Sequence, residues 1–235
     1  MRHYEHLQCG ADRLRVGPWR SDPTVAELAS LVGTRPPERH SVEQSLELIA
    51  ARGFQRVVTN ALSPAEQVGY LGAGFRVHER LHLLAHDLTH IPTPSAPVRL
   101  RRARRLDRSR ILAIDGAAFD PFWQLDAAGL RDAVGATPAS RVRVEEGAGL
   151  RGYAVTGRAA ERGYLQRLAV HPDAQRQGIG SALVIDALRW LRRRHCTLAL
   201  VNTQEINVRA LHLYESLGFT PRPEGLAVLS FEFAR

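Results

Sequence analysis

Residues 164–181, Tyr-Leu-Gln-Arg-Leu-Ala-Val-His-Pro-Asp-Ala-Gln-Arg-Gln-Gly-Ile-Gly-Ser, constrain the fold more than any other stretch of this chain. Tyr164 to Val170 reads as a strand, apolar in character and β-branched at its end. Pro172 cannot donate to a ladder and stops it. A short basic turn with Gly178 and Gly180 follows. From Ser181 the period changes: Val184, Ala187, Leu188 and Leu191 recur at i, i+3, i+4 and i+7, one face of a helix. Strand, glycine turn and helix in this order gather unpaired N–H groups and partial positive charge at a helix start. Glycines remove the Cβ atoms that keep a ligand away, and Arg176 adds fixed charge. Such a turn suits a phosphate or pyrophosphate; it also serves as a plain tight connection. A dinucleotide-binding turn needs a third small residue three after Gly180, where Leu183 stands.

A second pattern lies downstream, Asn207-Val-Arg-Ala210-Leu-His-Leu213-Tyr214-Glu-Ser-Leu-Gly218-Phe219. Taken together, Gln175-x-x-Gly178-x-Gly180 and this second run resemble the paired motifs of the GNAT superfamily of acyl-CoA-dependent N-acetyltransferases. The resemblance covers residues 97 to 235. It implies an α/β mixed sheet of the GNAT fold and acetyl-CoA as co-substrate, with no metal. In the family the strand before the glycine turn splays from its neighbour at a bulge and pairs with the pantetheine arm. By resemblance, that task falls to the main chain of Leu168, Ala169 and Val170. A backbone N–H there would polarise the thioester carbonyl. Gln175, Arg176, Gln177, Gly178, Ile179, Gly180 and Ser181 would hold the pyrophosphate. Asn207 would reach the pantetheine, though asparagine at this place also reads as a helix N-cap. Tyr214 would be the catalytic acid, protonating the leaving thiolate.

The resemblance departs in one place. Some members carry a glutamate five residues before the motif asparagine; here that residue is Asn202, which cannot take a proton. Glu145, Glu146 and Glu205 are bases by type only, each more simply a surface carboxylate. Phe119, Phe122 and Trp123 fall where the family places its acceptor groove, or plug the core behind it. The implied reaction is direct attack of a primary amine, on a small molecule or a protein, in a ternary complex. The alternative is a GNAT-fold acyl-CoA-binding or interaction module with little catalysis.

Composition bounds the partners. The formal net charge is +8, and all 32 basic residues are arginine. A basic surface attracts anions without choosing between coenzyme phosphates and nucleic acid. The Arg99–Arg110 run favours nucleic acid, but no stacking aromatics are interleaved, so direct binding is not expected. No apolar run approaches the roughly 20 residues a membrane helix needs, and Met1-Arg-His-Tyr-Glu-His lacks an apolar signal core. The expected compartment is the cytoplasm. Cys9 and Cys196 read as free thiols.

Along the chain, a helix is expected over about 25–32, and a helix opened by a Ser41–Gln44 capping box. A strand at 54–61, a helix from Ser63-Pro64 to Gly74 and a strand at 76–87 follow. This order repeats: a shift of 144 puts Val57 on Val201, Thr59 on Thr203, Tyr70 on Tyr214, Gly74 on Gly218 and Phe75 on Phe219. The same shift puts Thr34 on Gly178 and Pro36 on Gly180, and Arg35-Pro36-Pro37 is too stiff for a phosphate cradle. The expected organisation is therefore tandem. Residues 1–90 form a degenerate, truncated GNAT-like domain without its own cofactor, 91–97 a proline-rich linker, and 98–235 the catalytic domain. The protein would be a monomer with pseudo-tandem domains, or a homodimer.

Overall fold

The structure is a computed structural model and describes residues 4–233 apart from 21, 32 and 148. Its strands are β1 (Glu5–Cys9), β2 (Asp12–Pro18), β3 (Val25–Ser30), β4 (Arg56–Val58), β5 (Arg76–His86), β6 (Leu100–Arg102), β7 (Ala139–Glu145), β8 (Gly152–Ala159), β9 (Arg162–Val170), β10 (Leu198–Gln204), β11 (Thr220–Pro221) and β12 (Leu226–Glu232). Its α-helices are α1 (Arg39–Ala50), α2 (Pro64–Gly72), α3 (Arg108–Ala118), α4 (Ala127–Gly135), α5 (Ile179–Arg193) and α6 (Val208–Ser216). Contacts divide the chain into two units that do not follow linear order. The first holds residues up to Leu83 together with Asn202–Ile206 and those from Arg222. The second holds Leu84–Val201 and Asn207–Pro221. Residues 91–97 thus lie inside the second unit rather than between the two.

In the first unit the strands run β1-β2-β3-β4-β12-β5. β12 enters antiparallel to both neighbours, with Phe231 opposite Val57 of β4 and Leu226 opposite Leu81 of β5. Val42, Leu46 and Ile49 of α1 pack on Leu14, Leu28, Val57 and Leu229. The helix expected over 25–32 is instead β3. Val25, Ala26, Leu28 and Ala29 are all buried, because β3 lies between β2 and β4 and is covered on both faces. Double-sided burial erases the period-2 alternation that marks a strand. The Ser41–Gln44 box does not form either: α1 already starts at Arg39 with Glu38 as N-cap, and Ser41 is buried within its first turn. By contrast Ser63 and Glu66 close a capping box on α2.

In the second unit the strands run β10-β9-β8-β7-β6. α5 covers one face, burying Leu183, Val184, Leu188 and Leu191 with Leu165 of β9 and Ala199 and Val201 of β10. α3 and α4 cover the other, where Ile111, Ile114 and Leu130 meet Val144, Tyr153, Val155 and Ala169. Cys9 and Cys196 are both free and buried. No helix among the described residues is long and apolar enough to cross a membrane.

The internal repeat has a structural counterpart. α2 and α6 each span nine residues, from 64 and from 208. Tyr70 meets Phe75 with ring centroids 5.3 Å apart, and Tyr214 meets Phe219 at 5.6 Å. The preceding helices differ: α1 has 12 residues and α5 has 15. Leu188 is 1 % exposed at the centre of the α5 face. Leu188→Ala is expected to cost about 2–5 kcal/mol in urea unfolding. Leu106→Ala, at a side chain 90 % exposed, is expected to cost less than about 0.5 kcal/mol.

Candidate functional site

β9 pairs with β8 along its length, from Arg162 opposite Ala159 to Val170 opposite Gly152. Its parallel pairing with β10 is short: Arg162, Gly163 and Tyr164 lie opposite Leu198, Ala199 and Leu200. Among the described residues the two strands share no further pair, so the edge of β9 from Leu165 to Val170 is open. The direction of its main-chain groups follows from one bond. His171 N–H donates to Arg151 O at 2.8 Å, on the β8 side. Across a trans peptide the Val170 carbonyl then points the other way. Alternation sends the N–H and C=O of Val170 and Leu168 to the open edge, and those of Ala169 toward β8. Gln175 Nε2 donates to that Val170 carbonyl at 3.4 Å. One extra residue in β9, Gln166, forms a bulge, because Arg167 lies opposite Val155 and Leu165 opposite Thr156.

Beyond β9, residues 172–174 make a single 3-10 turn. Arg176 and Gly178 then both adopt left-handed backbone, φ +62° and +76°. Such alternation turns successive N–H groups to one side and makes an anion-binding concavity. For an arginine it costs roughly 1–2 kcal/mol. Gly178 is the N-cap of α5, which starts at Ile179, two residues before the Ser181 read from periodicity. The N–H groups of Ile179, Gly180 and Ser181 belong to the first turn and have no acceptor within the helix. Both glycines are needed for space as well. A Cβ on Gly178 would stand 3.0 Å from the Ala96 methyl, and one on Gly180 would stand 3.3 Å from Leu213 Cδ2.

The two glutamines brace the turn from outside. Gln175 Oε1 accepts from Arg209 Nη1. Gln177 Oε1 accepts from Arg151 Nη1 at 3.0 Å, and its Nε2 donates to Asp173 O at 3.4 Å. Arg151, Arg176 and Arg209 thus lie about the turn, the charge of Arg151 being met by Glu145. Arg209 sits inside the second motif and was within reach of the sequence. Arg151 joins through the β8–β9 pairing, which no local pattern announces.

Asn207 caps α6, its Oδ1 accepting from Ala210 N–H at 3.0 Å. The amide nitrogen is the end left to reach a ligand. Tyr214, two helical turns on, is 5 % exposed and packs on Phe219. Burial raises its pKa above the ordinary phenol value, so the hydroxyl keeps its proton. Leu168, Ala169, Val170, 175–181, Asn207 and Tyr214 all lie in the second unit.

The carboxylates named as bases are placed differently. Glu145 is not on the surface: it is 2 % exposed and bonded through both oxygens to Arg151, at 2.7 and 3.2 Å. Burial of Glu145 against Arg151 overrides the surface reading. Glu146 is exposed and pairs with Arg101 at 3.0 Å. Glu205 and Asn202 are exposed and belong to the first unit. Phe119 packs against the core, and Phe122 meets Trp123 edge to face at 4.9 Å.

At the matching helix start of the first unit, a carboxylate of the chain takes the anion's place. Asp12, 5 % exposed, accepts from Glu38 N–H at 2.9 Å and from Arg35 Nε at 3.2 Å. Burial alone would raise its pKa, but the bonds from Glu38, Ser41 and Arg35 outweigh it and hold the carboxyl below its usual value.

The model of the acetyltransferase (GNAT) family matches residues 109–219. The chain is 37 % identical over 67 residues to the ribosomal protein bS18 alanine N-acetyltransferase of Escherichia coli (strain K12), covering 28 % of this chain and 45 % of that protein. It is 46 % identical over 52 residues to the mycothiol acetyltransferase of Acidothermus cellulolyticus, covering 22 % of this chain and 16 % of that protein. The chain therefore spans less than half the length of these curated relatives. A tandem GNAT protein from the clavulanic acid biosynthesis pathway superimposes with a TM-score of 0.69 at 15 % identity, over 95 % of this chain and 79 % of that one. That likeness shows the fold. Residues 109–219 carry the acetyltransferase (GNAT) family match.

Proposed function

We propose that this chain transfers an acetyl group from acetyl-CoA to a primary amine by direct attack in a ternary complex. The observation that carries the reading is the open β9 edge leading straight into the left-handed turn at the start of α5, with Tyr214 in the same unit. The residues fit the coenzyme. The turn offers bare N–H groups at the start of α5, and Arg176 and Arg209 supply positive charge for a diphosphate. Residues 176–181 hold that diphosphate. Leu168 and the N–H of Val170 pair with the pantetheine arm, and Asn207 donates to it through its amide nitrogen. Leu168 N–H stabilises charge on the thioester oxygen, and the Tyr214 hydroxyl supplies a proton to the departing thiolate. With Glu145 locked to Arg151, the amine's own proton leaves through water.

The acceptor is a small molecule or a protein; the two curated relatives named above differ in theirs. Asn202 and the Asp12-filled helix start favour a second reading, a coenzyme-binding module with little turnover. Asp12 also supports a single coenzyme site per chain. An amine panel scored by thiol release separates the two readings: one good acceptor removes the second, and binding without turnover on any amine removes the first.

Gly178→Ala forces an L side chain into φ +76° against Ala96. The free turn relaxes to relieve strain of about 1–2 kcal/mol, and re-forming it on binding corresponds to roughly tenfold weaker acetyl-CoA binding in calorimetry. Gly135→Ala, with nothing within 4 Å, is the control and leaves affinity unchanged. Equal affinities in the two variants would remove the turn from the site.

Tyr214→Phe is expected to lower kcat by about 10²-fold or more and to leave coenzyme affinity intact. Because burial raises the Tyr214 pKa, the wild-type rate shows no alkaline fall from this group below about pH 10. The same shift favours the folded state fully below that pH, and the contribution is lost as the pH rises further. An unchanged kcat in Tyr214→Phe rejects the acid role.

A further inference from the structure

Three polar side chains from α3, β8 and β9 meet inside the second unit, and the reaction as described uses none of them. Asp115 is wholly buried. Its Oδ2 accepts the Tyr153 hydroxyl at 2.5 Å and Arg167 Nε at 2.7 Å. Its Oδ1 accepts Arg167 Nη2 at 2.8 Å and Leu125 N–H at 2.6 Å. Arg167 Nη2 also donates to Trp123 O at 2.7 Å, and the guanidinium carbon lies 3.5 Å from the centre of the Phe119 ring. All four acceptor positions of the carboxylate are filled.

A buried ion pair is a poor source of net stability, since well-packed apolar residues of similar volume often do as well. What it supplies is a fixed geometry. Arg167 follows the bulge residue Gln166 and precedes Leu168. A bulge moved past Leu168 would reverse the alternation there and turn the Leu168 N–H toward β8. Holding Arg167 on the α3 face prevents that slip.

We propose that Asp115 and Arg167 are positioning residues, a clamp that pins the β9 bulge at Gln166 and so aims the Leu168 N–H at the open edge, where the thioester oxygen lies. The clamp rests on the coenzyme reading given above. It also ties the 123–125 segment to the same point of β9, so the bulge cannot shift without breaking the bonds to Leu125 and Trp123. Asp115 has no exposed surface and takes no proton from substrate.

The test reads backbone amide shifts of the full chain by 15N NMR, with coenzyme A and then acetyl-CoA as probes. In the wild type, coenzyme A shifts Gly178 and Ile179, and acetyl-CoA adds a further shift at Leu168. In Asp115→Asn the Gly178 and Ile179 shifts and the dissociation constant stay within about twofold, while the acetyl-dependent shift at Leu168 falls by more than half. Where Asp115→Asn unfolds the chain, the paired variant Asp115→Leu/Arg167→Met carries the test. It recovers the melting temperature but not the Leu168 shift. A folded variant of either kind that keeps the acetyl-dependent Leu168 shift overturns the clamp. Wild-type amides at Gly178 and Leu168 that ignore both probes overturn the coenzyme reading, and the clamp with it.

Discussion

A parallel ladder that stops after three pairs is the constraint on which the rest of the second unit depends. Main-chain groups inside a sheet are ordinarily spent on a neighbouring strand. Here β9 keeps β8 along one edge and loses β10 beyond Tyr164 along the other, so the donors and acceptors of Leu168 and Val170 face outward at the start of the glycine turn. The bulge at Gln166 sets which residues those are. The left-handed turn and the first amides of α5 continue the same line of unpaired N–H groups. A long, thin ligand with amides along its body and phosphates at one end matches that line better than a compact one.

The two units answer the same electrostatic question in opposite ways. Each has a helix start whose positive end wants an anion. In the second unit the first turn of α5 presents bare amides, and Arg176 and Arg209 raise the local potential, the charge of Arg151 being met by Glu145. In the first unit α1 is a turn shorter, and Asp12 reaches in from β2 to accept the Glu38 N–H while Arg35 neutralises it. One device is left open to an outside anion; the other is closed by an anion of the chain.

What could be read from the sequence was what is local. The helix from Ser63-Pro64 to Gly74, the α6 cap at Asn207 and the strand before Pro172 each rest on residues a few positions apart. The shift of 144 puts Tyr70 on Tyr214 and Phe75 on Phe219, and each pair makes a like ring contact. β3 was misread because Val-Ala-Glu-Leu-Ala suits a helix in isolation, and only its two strand neighbours make it extended. In the site, the glycine turn was legible, but its braces were not. Arg151 and Gln177 lie 26 residues apart, and Arg167 and Asp115 lie 52 apart. Glu145 looked like a surface carboxylate although Arg151 lies only six residues on, because its burial depends on the packing around it.

The position of β12 has a consequence for how the protein is made. β4 and β5 are not paired with each other in the first unit; β12 lies between them and pairs with both. On the ribosome those two strands emerge early, while the strand that joins them emerges only after all of the second unit's helices. Until then each presents an unsatisfied sheet edge, a template for pairing with a foreign chain. Vectorial synthesis therefore completes the second unit's helical layers before the first unit can close, and the nascent polypeptide must keep two sticky edges apart in the interval.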